Sequence, residues 1–147
     1  MSAYPDERGL TLVELLMVVV IVGILGFVAV VRFNPRATAL ASAVQEAATA
    51  VRYAQELALT THRVHGIRFG ALGNVYQVYR TSVDTLVRHP LTQGPYSVSL
   101  GGAVQIDADY AVQFDALGFP DTPGAVTFNG GQRGILVVPN TGLVRVQ

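Results

Sequence analysis

The sequence contains no cysteine, which removes disulfides, thiolate catalysis and cysteine metal sites and leaves stability to packing alone. It also lacks an excess of either charge. Ten basic and ten acidic residues cancel within 147, so no global field draws the protein toward nucleic acid or anionic lipid. Catalytic signatures are missing too: there is no Gly-x-Ser-x-Gly elbow, no His-Glu-x-x-His and no phosphate-binding glycine loop. In the C-terminal half serine occurs only at Ser82, Ser97 and Ser99, with no sign of an activating base. No repeat of fixed period and no low-complexity tract is present. These absences point away from an enzyme, and the length suits one modest domain with an anchor.

What the chain has in abundance is apolar surface, with 50% hydrophobic residues and a mean hydropathy of +0.40. Much of it lies near the N-terminus. Residues 10–31 read LTLVELLMVVVIVGILGFVAVV, with no charge between 15 and 31. At ~1.5 Å of rise per residue, about 20 such residues cross a hydrocarbon core of roughly 30 Å, so the segment reads as a transmembrane helix. A secretory signal would show a basic start, a shorter apolar run and a small-residue cleavage site after that run. Here a polar leader, 1–9, precedes the run, and the small residue at the junction is Gly9. Arg8 lies before the span and Arg32 and Arg36 just after it, so the positive-inside rule does not set the orientation. Glu14 is the anomaly, since an acid within a span costs roughly 2.5 to 3.5 kcal/mol. Physics alone leaves two readings: a shallow position in the headgroups, or a buried acid with a cationic partner.

Gly9, Leu10, Thr11, Leu12, Val13, Glu14 and Leu15 together resemble the type IV prepilin signature Gly-Phe-Thr-Leu-Ile/Val-Glu-Leu. Leu10 stands where that family usually has Phe. The resemblance implies that a prepilin peptidase cleaves after Gly9 and methylates the new amine of Leu10. It implies that Glu14 meets the terminal amine of a neighbouring pilin subunit as N-terminal helices pack into a fibre. It further implies a single-pass protein of the bacterial inner membrane, with the leader cytoplasmic and the remainder periplasmic. Desolvating both partners would consume much of the Coulombic gain, so such a pair serves register more than net stability.

Asn34-Pro35 is expected to interrupt or kink the helix. Beyond it Leu40, Val44, Ala47, Val51, Ala54 and Ala58 recur at alternating steps of four and three, with Gln45, Glu46, Arg52, Gln55 and Glu56 elsewhere. This is an amphipathic helix whose alanine-rich stripe suits close packing under a sheet. After His65-Gly66 the pattern changes to short β-branched and aromatic runs over 66–69, 75–80, 96–100, 104–106, 112–114, 126–128, 135–138 and 143–146. Turn signals at Gly73-Asn74, Gly101-Gly102, Asn129-Gly130-Gly131 and Asn140-Thr141-Gly142 fit antiparallel hairpins. No ten-residue helical pattern intervenes, which excludes βαβ repeats. The expected class is α+β: a long N-terminal helix, transmembrane then amphipathic, on an antiparallel sheet or small two-sheet sandwich. The expected division is a leader at 1–9, a transmembrane helix at 10–33, an amphipathic helix at 34–62 and a β domain at 63–147.

A second resemblance covers residues 41–147. The blocks VRYAQELALTTHRVHGIRF, FDALGFPDTPGAVTFNGG and GILVVPNTGLVRV, in that order, resemble the GspH/FimT family of minor pseudopilins and minor pilins. This implies a pilin-like fold and a structural, non-enzymatic minor pseudopilin of a type II secretion system, at or near the tip of a pilus-like fibre, contacting other subunits or cargo. The alternative is a FimT-like minor pilin of a type IV pilus that contacts DNA. A membrane-tethered periplasmic enzyme or ligand-binding module is a third class. The family's last hairpin usually carries Gly-Arg, whereas here Gly142 precedes Leu143 and the basic residue is displaced to Arg145. That departure counts against DNA uptake. Arg133 and Arg145 are the candidate nucleic-acid contacts, and Arg63, Arg68, Arg80 and Arg88 are scattered.

Two further groups have ligand-like spacing. His62 and His65, three apart, suit one face of a helix for a metal, but no third ligand is evident. Asp107 and Asp109, with Asp115 and Asp121 nearby, offer a partial calcium loop, short of the six to eight oxygens that calcium takes. Capping histidines and surface turns explain both groups more simply, and neither a metal nor a cofactor is expected.

Overall fold

The computed structural model describes residues 11–32 and 35–147, with the side chains of 28–32 and 82–84 left aside. It divides into two compact units, one ending at Pro35 and one running from Arg36 to Gln147. The expected leader, Gly9 and Leu10 lie outside the described residues, as does Asn34 of the expected kink.

The first unit holds α1 (Leu12–Arg32). Thr11 starts it: its Oγ1 accepts the amide of Glu14 at 3.3 Å, and its carbonyl accepts the amide of Leu15 at 3.1 Å. Threonine followed three residues later by glutamate is the spacing of a capping box. The large apolar side chains described in α1 are 51% to 81% exposed. A helix that is apolar on every side needs an apolar surrounding from elsewhere. Among the described residues no helix is long and apolar enough to cross a membrane. The span expected over 10–31 begins, and its last side chains fall, outside what is described.

From Arg36 onward α2 (Pro35–Thr61) belongs to the second unit. Proline at the first helical position costs nothing, because that amide has no intrahelical acceptor. All six stripe residues expected from the sequence are buried, and Ala48 and Ala50 join them. Eight strands follow: β1 (His65–Gly70), β2 (Val75–Arg80), β3 (Ser82–Leu86), β4 (Ser97–Ser99), β5 (Tyr110–Phe114), β6 (Gly124–Phe128), β7 (Arg133–Val137) and β8 (Val144–Val146). They form two antiparallel sheets. In the larger, β2 and β5 flank β1, while β3 and β4 both pair with the far edge of β2; in the smaller the order is β6-β7-β8. Ile67, Phe69, Val78 and Phe114 from one sheet and Phe128, Ile135 and Val137 from the other join the α2 stripe in a single core. Period-two alternation produces this, each strand sending alternate side chains inward.

Two elements differ from the sequence expectation. Residues 104–106 form no strand, only a single bridge from Ile106 to Phe128. Side chains occupy their backbone groups: Asn74 Nδ2 donates to the carbonyls of Leu100 (3.1 Å) and Val104 (2.6 Å), and Asn74 Oδ1 accepts the Ile106 amide (2.9 Å). Asn129 Oδ1 accepts the Gln105 amide at 2.7 Å. The unexpected strand is β3, which is mostly polar and meets β2 in an irregular register around Tyr79 and Arg80.

Asn74 itself has φ of 47°, a left-handed conformation that asparagine tolerates better than most residues. Three hydrogen bonds at roughly 0.5–1.5 kcal/mol each set its importance. Asn74→Ala is expected to cost about 3 kcal/mol, and Asn74→Gly about 1 kcal/mol less because glycine keeps the turn geometry. Denaturant unfolding of both variants measures this.

Candidate assembly surfaces

Glu14 is exposed in the first turn of α1. There a carboxylate complements the positive end of the helix dipole, and its own amide is held by Thr11. The spacing Thr11-x-x-Glu14 is itself a sequence signal of a helix start, separate from the prepilin resemblance, which gives roles to Gly9, Leu10 and Glu14.

Arg133 and Arg145 are both exposed but do not form one patch. Arg133 pairs with inward-facing Phe128, so it belongs to the core side of the small sheet at its rim. Arg145 pairs with Leu136, whose neighbours Ile135 and Val137 point inward, and so it lies on the opposite face.

The last hairpin is tied to the helix instead. Gln55 Nε2 of α2 donates to the carbonyls of Gly118 (2.9 Å) and Thr141 (3.2 Å), and an Arg52 guanidinium nitrogen donates to the carbonyl of Val144 (3.2 Å). Gly142 has φ of 65°. A Cβ there would lie 2.8 Å from the Gly118 carbonyl and collide with the Gln55 amide. Gly118, with φ of 80°, lies against Leu59. These contacts bring the Gly118 loop and the last hairpin together beside Leu59, and the chain neighbours of the two glycines, Leu117, Phe119 and Leu143, are 48% or more exposed. No sequence period joins these three segments, so only the fold could reveal the point where they meet. It lies near the C-terminal end of α2, about 36 Å along the helix from Pro35 at 1.5 Å per residue.

The four candidate calcium ligands instead hold backbone amides. Asp107 accepts those of Gly130 (2.7 Å) and Gly131 (2.9 Å), Asp109 that of Ala71 (2.7 Å), Asp115 those of Leu117 and Phe119 (both 2.9 Å), and Asp121 that of Gln113 (2.7 Å). The Gly130 amide, with help from Thr127 and Gly131, holds the Asp107 carboxyl below its usual range against a smaller effect of burial. Tyr110 donates to the Thr122 carbonyl at 3.0 Å, and burial, reinforced by Asp121, pushes its hydroxyl up to about 12. Burial likewise raises Tyr76, whose hydroxyl donates to Glu46 at 3.3 Å. His62 is exposed at the end of α2 with φ of 51°, whereas His65 is buried in β1. The chain reverses between them, so they do not share a helical face.

Comparison with family models matches residues 5–30 to the prokaryotic N-terminal methylation motif. A search of curated proteins finds no match. Among solved structures the chain is similar to the minor pseudopilin EpsH from the Type 2 Secretion System of Vibrio cholerae, at 13% identity and a TM-score of 0.56, covering 74% of this chain and 95% of that one. It is also similar to the type IV minor pilin FimU of Pseudomonas aeruginosa in two crystal forms. The identities are 16% and 19% and the TM-scores 0.55 and 0.52, over 74% of this chain and 87% and 92% of those. The likeness establishes a shared pilin-like α+β fold.

Gly142→Ala should therefore lower stability by about 2 kcal/mol or more, through left-handed backbone strain and loss of the Gln55 clasp. Thermal unfolding beside wild type checks it.

Proposed function

We propose that this chain, in which a type IV prepilin N-terminus precedes a pilin-like domain, is a structural minor pseudopilin of a type II secretion system. A prepilin peptidase would cut after Gly9 and methylate Leu10, and the protein would sit in the inner membrane with its β domain periplasmic until drawn into a pilus-like fibre. The observation that carries this reading is the pairing of the methylation motif over residues 5–30 with an α1 whose large apolar side chains, among those described, are all exposed. Such a helix has somewhere to go in a membrane or in a bundle of like helices. Glu14 then meets the Leu10 amine of a neighbour. The capping by Thr11 supports this, because it starts the helix one residue after the new terminus. The exposed apolar residues Leu59, Leu117, Phe119 and Leu143, on three segments that meet, support contacts with other subunits or cargo near the fibre tip.

The similarity to FimU favours a second reading, a minor pilin of a type IV pilus. DNA contact in that setting has less support, because Arg133 and Arg145 lie on opposite faces of their sheet. Loss of protein secretion on deletion, with pili intact, would select the first reading; loss of pili with secretion intact would select the second.

Glu14→Ala should abolish incorporation into the fibre while leaving the thermal unfolding of the β domain unchanged. Intact function in this variant without incorporation into a fibre would indicate a tethered module instead. Intact-mass measurement should find a mature chain beginning at a methylated Leu10; a different start would remove the prepilin assignment.

A further inference from the structure

The larger sheet ends in an open cavity of about 410 Å³ beside Arg68 and Asp109, where both signs of charge meet. A second cavity has a different character. It measures about 260 Å³ and is lined by His65, Arg80, Thr85, Leu86, Val87 and Arg88. Two guanidiniums, an imidazole and a hydroxyl meet there, with no carboxylate among the described lining residues.

The site is built by the sheet. His65 and Arg80 are direct cross-strand partners in β1 and β2, a pairing that puts their side chains on one face with Cβ atoms roughly 5 Å apart. Arg88 arrives from the segment after β3, where the Val87 amide donates to the Val78 carbonyl at 3.0 Å. The turn that brings β3 back is strained: Thr81, a β-branched residue, has φ of 62° and donates its amide to the Val64 carbonyl at 3.1 Å. A β-branched residue in the left-handed region is an outlier that the surrounding structure must hold in place, and such outliers cluster at functional sites.

His65 supplies the second observation. It is 3% exposed, and its Nδ1 lies 3.0 Å from the carbonyl of Arg63. A carbonyl only accepts, so Nδ1 carries a proton and Nε2 is the remaining nitrogen. No buried side-chain nitrogen or oxygen among the described residues lacks a partner. The cavity is the opening that His65 lines.

We propose that this cavity binds a phosphate group. Guanidinium donors match phosphate oxygens. The donors approach from β1, β2, β3 and the following segment, an arrangement that suits a tetrahedral group with several oxygens better than a flat carboxylate held by one fork. Arg80 and Arg88 supply the charge, Thr85 a hydroxyl donor, and His65 a buried imidazole in the lining.

The test uses the full chain in a non-ionic detergent. Millimolar inorganic phosphate should raise the unfolding temperature and shift the His65 imidazole resonance, assigned by its loss in His65→Gln, while chloride at equal ionic strength does neither. Arg80→Gln with Arg88→Gln should weaken apparent phosphate affinity at least tenfold. Equal responses to chloride and phosphate, an unmoved His65 resonance in wild type, or an undiminished response in a folded double variant would overturn the proposal. An acetate response matching that of phosphate would likewise overturn it in favour of a carboxylate site. If the double variant does not fold, the wild-type resonance decides.

Discussion

The globular unit depends on the burial of one alanine-rich stripe. Ala47, Ala48, Ala50, Ala54 and Ala58 have no exposed surface on α2, and Val44 and Val51 are equally buried among them. Small side chains let the helix backbone lie close to its neighbours, while each buried valine contributes roughly 1.5–3 kcal/mol. The aromatic residues of the sheets, Phe69, Tyr76, Phe114 and Phe128, fill the remaining space. Phe69 meets Tyr76, Tyr110 and Phe128 with ring centroids 5.8 to 6.3 Å apart, so one residue of the larger sheet reaches the smaller. Helix and both sheets thereby share one core, without any disulfide.

Around this core, polar side chains fix the connections. Asn74 holds the segment between β4 and β5, Asp107 the turn between β6 and β7, and Gln55 the loops containing Gly118 and Thr141. Each uses backbone groups that have no ladder partner, and a buried backbone group left unpaired would be costly. The same clasp brings the Gly118 loop and the last hairpin together next to Leu59.

The N-terminal helix obeys a different constraint. Its apolar side chains have no core of their own to enter, and Thr11 fixes only where the helix starts. The second unit draws its stability from its own core and from side chains such as Asn74, whereas the assembly role proposed for Glu14 belongs to the first unit.

The sequence by itself determined the periodic features: the uncharged run before Arg32, the four-and-three stripe of α2, and most of the strands, because periods of 3.6 and 2 are written directly in the order of side chains. It also held the prepilin signature around Gly9 and Glu14, a local string that needs no fold to be read. Tertiary structure decided what depends on residues distant in the chain. It replaced a strand at 104–106 with a loop held by Asn74 and Asn129, and made a polar segment into β3. It placed Arg133 and Arg145 on opposite faces, and brought His65, Arg80 and Arg88 around one cavity. Register between strands and hydrogen bonds from side chain to distant backbone set these outcomes, and neither leaves a local pattern in the sequence.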